Sequence, residues 1–214
     1  MVDAALLPVL KHRKIEYLDK LIISHVDSDH AGTYQRLLKE SPPERFLSSA
    51  TLRGAEPCLA GQAWQWDVVS FAIITPPAGS EGSSNNRSCV LLVESGGGRA
   101  LFPSDIESAI EQQLLPTLRP NISVLLARHH GSRTSSSPAF MLRLSPEFVI
   151  FSAGYKHRYG HPVPEVKRRY RQHGAELAET AKSGMITVAL GPQGIKNIEH
   201  FRKKYHFYWD SVGE

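Results

Sequence analysis

Four metal-capable side chains fall within six residues of one another: His25, Asp27, Asp29 and His30, in the run Leu-Ile-Ile-Ser-His-Val-Asp-Ser-Asp-His-Ala-Gly at 21–32. Leu21, Ile22 and Ile23 read as the end of a buried strand. Side chains of an extended segment alternate faces, so His25, Asp27 and Asp29 share one side, and a turn into a helix brings His30 toward them. Asp27, Ser28 and Asp29 also suit a turn or a helix N-cap. Charged groups seldom gather this densely unless paired or metal-bound, and the histidine at each end makes one or two divalent ions the stronger reading.

Three later places add chemistry of the same kind. Pro-Ser-Asp-Ile-Glu at 103–107 follows a strand expected over 99–103, where Asp105 suits the cap of the helix running to 115. A buried strand expected over 122–127 ends in Arg-His-His-Gly-Ser-Arg-Thr-Ser-Ser. One imidazole of His129 and His130 completes a metal site, while the other holds substrate or moves a proton. Gly131 permits close backbone approach, and Ser132, Arg133 and Thr134 supply donors to a phosphate. Arg-Tyr-Gly-His-Pro at 158–162 then offers His161 as a proton donor or phosphate contact, with Arg158 and Tyr159 beside it; a histidine satisfied within its loop is the plainer alternative.

The elements that must position these residues alternate. Strands are expected over 46–49, 68–75, 88–94 and 99–103, the last two joined at Gly96-Gly97-Gly98, and then over 122–127, 147–153 and 184–190. Helical patterns run over 4–13, 32–40, 138–144 with proline in the first turn, and 164–174 closed by Gly174. Strands separated by short helices, with reactive residues at strand ends, define an α/β class with layered sheets and leave the connectivity open. Trp64 and Trp66, at period two, fit packing on a sheet face better than a base-stacking platform. Residues 76–87 form a long polar loop.

Composition excludes several classes. At 214 residues, 41% hydrophobic and 21% charged, the chain can bury a sizeable core as one domain. No apolar run approaches the roughly 18–20 residues of a membrane span, and the N-terminal residues do not form a signal peptide. The net charge of +4 favours anionic partners weakly. Its bases gather at Lys167, Arg168, Arg169 and Arg171 and again at Arg202, Lys203 and Lys204, runs that also suit a solvated helix face. Residues 195–209 mix bases with aromatics and suit packing slightly better than nucleic-acid contact. Two cysteines, Cys58 and Cys89, make no disulfide framework; buried thiols are the favoured reading, with a single bridge left open.

The spacing at 25–30 resembles the His-x-His-x-Asp-His signature of the metallo-β-lactamase superfamily, with Asp27 in place of the usual histidine. Taken with Pro-Ser-Asp-Ile-Glu, His-His-Gly-Ser and Arg-Tyr-Gly-His-Pro, which arrive in family order, the chain resembles the C-terminal hydrolase domain of ComEC-type competence proteins, membrane channels for DNA uptake. The resemblance implies an αββα four-layer sandwich over 1–214, with 195–214 as a basic and aromatic extension and without the family's early Asp-Val-Gly-Gln-Gly-Asp hairpin. It implies two divalent ions: His25 and Asp27 on one, Asp29 and His30 on the other, Asp105 bridging, and His129 or His130 completing the set. Asn85, Asn86 and Ser88 stand where a further histidine is usual; this oxygen-rich set suits Mn²⁺ or Mg²⁺ better than Zn²⁺, which the family also admits.

The implied activity is a nuclease of natural transformation, with Asp29, His130 and His161 catalytic and Ser132, Arg133, Thr134, Arg158 and Tyr159 on the substrate. DNA and the channel domain of a membrane-embedded parent are the implied partners, on the extracytoplasmic face of an inner membrane. A hydrolase of small phosphoesters with the same fold, or a non-catalytic DNA-binding module, are the alternatives.

Overall fold

The structure, a computed structural model, describes residues 2–155 and 159–205. The chain divides into two compact units, Met1–Ala63 with Ala72–Leu91, and Trp64–Phe71 with Leu92–Glu214.

In the first unit a π-helical turn, Val2–Leu6, leads into α1 (Leu7–His12), which carries a proline at its start. Then come β1 (Leu18–Ile23), α2 (Ser28–Ala31), α3 (Tyr34–Glu40) and β2 (Pro43–Ser48). β1 and β2 run parallel, from Leu18 opposite Pro43 to Ile23 opposite Ser48, so a crossover is obligatory and the two short helices provide it. β3 (Glu56–Pro57) extends β2 in parallel. Leu7, Leu10 and Leu37 are buried with Val2 against Leu18 and Leu21, which fixes α1 and α3 on one apolar cluster.

β4 (Ala63–Trp66) and β5 (Val69–Thr75) follow, with Asp67 between them at φ 49°. Trp64 stacks on Phe71 with ring centroids 5.2 Å apart, and Trp66 meets the same ring edge-on at 4.8 Å, so the tryptophans pack on a sheet face.

Next are β6 (Val90–Ser95), β7 (Gly98–Phe102), α4 (Ser108–Leu114), β8 (Val124–Leu126), α5 (Pro138–Leu144), β9 (Phe148–Phe151), α6 (Pro164–Gln172) and β10 (Glu176–Glu179). The strand order is β10-β9-β8-β7-β6-β5-β4, with β7 through β10 all parallel. Each of these parallel steps contains one α-helix. The uninterrupted apolar runs of β8 and β9 suit strands covered on both faces.

α7 (Thr180–Ser183), β11 (Ile186–Gly191), β12 (Gly194–His200) and α8 (Phe201–Lys204) end the described chain. β11 and β12 form an antiparallel hairpin whose Val188, Leu190, Ile195 and Ile198 pack on Ala100, Val124, Phe148 and Ala178. A Cβ on Gly97 would collide with the Pro192 carbonyl, so the hairpin turn meets backbone with no side chain between.

Three expectations change here. Strand 184–190 is not the last: Gly194, at φ 99°, turns the chain into β12, and Ile195 and Ile198 face the core, so much of the expected extension is sheet. Trp209 and the rest of 206–214 lie outside the described residues. β10 has no counterpart among the expected strands, because Glu-Leu-Ala-Glu has poor strand propensity and is held by pairing with Phe148–Phe151. Cys58 and Cys89 are buried but form a disulfide, with Cα atoms 6.2 Å apart. Their amides donate to Ser48 and Ser24, neighbours at the ends of paired strands, and this brings the sulfurs together. Among the described residues no helix is long and apolar enough to cross a membrane.

Candidate metal centre

Each reactive run begins where a parallel strand ends: 24–30 after β1, Asp105 after β7, His129 and His130 after β8, and 154–161 after β9. The carboxyl ends of parallel strands are where open α/β sheets gather ligands, because each crossover loop there leaves the sheet with its side chains uncommitted to the core.

In the first unit, Ser24 organises its run. Its carbonyl accepts hydrogen bonds from Cys89 N–H, at 3.0 Å, and from the Ser49 hydroxyl. Its Oγ lies 3.1 Å from Nδ1 of both His25 and His30, whose ring centroids are 4.0 Å apart. If both rings carry their proton on Nδ1, the one hydroxyl oxygen accepts twice and the lone pair of each ring sits on Nε2, where it can serve as a ligand. His25 is fully buried, with Nε2 3.7 Å from Asp27 Oδ2; His30 Nε2 is 3.7 Å from Asp29 Oδ2. Asp27 occupies the N-cap of α2 but makes no side-chain cap bond, which leaves its carboxylate to the histidine. Sequence reasoning missed Ser24; the available signal was a hydroxyl residue directly before His25.

The expected loop 76–87 reaches this run, where Ser84 Oγ accepts from Val26 N–H at 3.4 Å. Ser88, one of the three residues with Asn85 and Asn86 in the stretch where the resemblance implies a further histidine, is fully buried, and its Oγ has no hydrogen-bond partner among the described residues.

In the second unit, Asp105 is 4% exposed. The N-cap of α4 is Glu107, which makes no side-chain cap bond, so Asp105 is not the cap and its Oδ2 instead faces His129 Nε2 at 3.9 Å. His129 and His130 stand at φ 46° and 54°, left-handed backbone that non-glycine residues seldom adopt. His130 Nδ1 lies 2.6 Å from the Ser152 carbonyl oxygen, an acceptor only, so the proton sits on Nδ1 and the lone pair on Nε2. His129 has its ring 6.1 Å from that of His161, which is in turn 6.0 Å from Tyr159. Ser132 is nearly buried, with Oγ 3.2 Å from Thr134 Oγ1, whereas Arg133, Thr134 and Tyr159 are exposed. Arg158 lies outside the described residues. Burial pulls the Arg128 guanidinium below its ordinary value, opposed by nearby charges of which Glu111 is the largest.

Each unit thus gathers carboxylate and imidazole side chains of the kind that hold a metal ion: Asp29 beside His30 in the first, and Asp105 beside His129 in the second, with His130 next along the chain. The donors are imidazole nitrogen and carboxylate oxygen without thiolate, a set that fits a divalent first-row ion. His129 Nδ1 is buried without a hydrogen-bond partner among the described residues, a further imidazole nitrogen that suits a ligand role.

Residues 2–153 match the metallo-beta-lactamase superfamily, and the chain belongs to that superfamily. It is similar to competence protein ComA of Neisseria gonorrhoeae, 37% identical over 97% of this chain and 30% of that protein. It is also similar to recombination protein 2 of Haemophilus influenzae, 33% identical over 99% of this chain and 27% of that one. ComE operon protein 3 of Bacillus subtilis is 32% identical over 86% of this chain and 26% of its own length. The chain therefore spans less than a third of these relatives. A crystal structure from Parabacteroides distasonis, 13% identical with a TM-score of 0.52 and 76% of each chain covered, shares the mixed α/β fold with several sheets.

Proposed function

We propose that this chain is the metal-dependent nuclease domain of a DNA-uptake protein, cleaving phosphodiesters. The observation that carries this reading is the pairing of carboxylate with imidazole where parallel strands end, Asp29 with His30 and Asp105 with His129, in a chain similar, over nearly all its length, to proteins named for competence and recombination. His25 with Asp27, and Asp29 with His30, would each hold a divalent ion, and Asp105 and His130 would serve as further ligands, ready to supply a carboxylate oxygen and an imidazole nitrogen. Bound there, Mn²⁺, Mg²⁺ or Zn²⁺ supplies an acidified water and positive charge for the phosphate oxygens.

The remaining work belongs to the chain. Ser24 and the Ser152 carbonyl hold three imidazoles in the tautomer that presents Nε2. Asp29 orients the attacking water as well as its metal. His161, beside His129, delivers a proton to the leaving oxygen. The exposed Arg133 and Thr134, with Ser132, Arg158 and Tyr159, hold the phosphate and adjoining sugar. The proposed partner of this domain is a membrane-embedded channel, with the domain meeting DNA on the extracytoplasmic face.

The test is degradation of end-labelled single- and double-stranded DNA with Mn²⁺, Mg²⁺ or Zn²⁺, beside Asp105→Ala and a small phosphodiester such as bis-p-nitrophenyl phosphate. Metal-dependent DNA cleavage lost in Asp105→Ala supports the reading. Turnover of the small ester without DNA would move the substrate class, and DNA binding without turnover, indifferent to Asp105→Ala, would replace the enzyme with a binding module.

A further inference from the structure

Behind the two left-handed histidines lies a buried polar brace. Arg128, immediately before His129, is 1% exposed, and its Nε is 3.1 Å from Oε1 of Glu111, which is fully buried on α4. Glu111 Oε1 accepts the Ser136 N–H at 2.9 Å and Oε2 the Ser137 N–H at 3.0 Å. Arg128 Nη2 donates to the Thr134 carbonyl at 3.1 Å. From α6, Arg169 Nη1 donates to the Ser136 carbonyl at 3.2 Å, and the Tyr170 hydroxyl donates to Ser136 Oγ at 2.8 Å. Side chains from two helices and one turn thus converge on three residues of one short segment, Thr134, Ser136 and Ser137.

Stability alone does not account for this arrangement. A buried ion pair can be replaced by apolar side chains of similar volume at little or no cost to the fold. An apolar pair cannot, however, satisfy two backbone N–H groups and a carbonyl in a segment without helix or sheet partners. Adjacent left-handed residues are costly and persist only where the surroundings over-determine them. His129 is tied on one side through its N–H to the Ser104 carbonyl, at 3.2 Å, and on the other through Arg128 to the brace.

We propose that Glu111 and Arg128, with Tyr170, are positioning residues that fix the His129–His130 pair and hold Ser132 and Thr134 in the orientation that meets phosphate. The functional consequence rests on the proposed metal-dependent reading; the positional claim stands apart from it.

Histidine-selective NMR of the metal-free chain reads the positional claim directly. Glu111→Gln leaves Oε1 able to accept but turns an amide NH₂ toward a backbone donor, and it displaces the ring signals of His129 and His130. Affinity for Co²⁺, used as a probe, then falls about tenfold or more with a changed absorption spectrum. Ile122→Val, a core change at the start of the segment that ends in Arg128, lowers the melting temperature but moves neither readout. Tyr170→Phe keeps the ring in the core and removes one hydroxyl, giving a smaller displacement of the same signals, and it decides the matter if Glu111→Gln does not fold. Unchanged His129 and His130 signals in folded Glu111→Gln, or in Tyr170→Phe in that event, overturn the proposal. The NMR arm uses neither metal nor DNA, so the brace is tested even in a chain that cleaves nothing.

Discussion

Gly131→Ala adds one methyl group at φ +82°, where an ideal Cβ would stand 2.7 Å from Phe151 Cδ1 and 2.8 Å from both Phe151 Cε1 and Pro162 Cβ. Phe151 is 0% exposed, held in the core of β9, so the ring has nowhere to retreat. Left-handed backbone costs an L-residue about 1–2 kcal/mol, and forcing a methyl into a packed site adds about 1–3 kcal/mol. The sum, about 2–5 kcal/mol, is a large share of the roughly 5–15 kcal/mol that separates typical folded and unfolded states. A urea titration of the metal-free chain measures it: the midpoint falls while the slope stays near wild type, because the surface exposed on unfolding is unchanged. The damage is directional as well, since the Gly131 carbonyl accepts from Val163 N–H at 3.0 Å, tying the His130 turn to the segment after His161. A loss below about 1 kcal/mol would mean that Phe151 and Pro162 yield easily, and the account of a rigid histidine turn would fail with it.

Ser24→Ala removes the hydroxyl shared by His25 and His30 while leaving the backbone bonds of Ser24 intact; affinity for Mn²⁺ or Zn²⁺, read by calorimetry, drops about 10–100-fold. Wild-type affinity in that variant would show that the rings orient themselves. Away from the site, burial first and Lys203 second hold His200 below its ordinary pKa of 6.5, with Glu176 opposing. The unfolded chain therefore binds this proton at higher pH than the folded one, so stability falls as pH drops below about 6.5 and levels off below the lowered folded value. His200→Gln makes the stability–pH curve shallower in that window; parallel curves for wild type and variant would refute the assignment.

The candidate ligands stood out in the sequence because chemistry is dense there: His25 to His30, Asp105 and the His129–His130 pair are side chains that a strand end does not otherwise need. What supports them did not. Ser24 looks like any serine, and Glu111 sits in Glu-Gln-Gln-Leu-Leu as if on a solvated helix face, yet it is fully buried. Its burial depends on Arg128, seventeen positions away (128 − 111), a separation at which neither residue marks the other. In the fold, apolar runs such as Val-Leu-Leu and Phe-Val-Ile-Phe announced β8 and β9, while Glu-Leu-Ala-Glu became β10 only through its neighbour. β12 was hidden because Lys196, Asn197 and Glu199 dilute its two core-facing isoleucines.

The hairpin of β11 and β12 has one more implication, for the order in which the chain is made. Ribosomes deliver β7, β8, β9 and β10 first, and the apolar face formed by Ala100, Val124, Phe148 and Ala178 receives Val188, Leu190, Ile195 and Ile198 only afterwards. Until roughly the last of these residues clears the exit tunnel, a nascent chain whose candidate ligands have all been synthesised still displays a bare hydrophobic surface. Ligand completeness and solubility are thus acquired at different moments of synthesis, and expression boundaries drawn just beyond the last recognisable motif, at His161-Pro162, would yield the reactive residues without their cover.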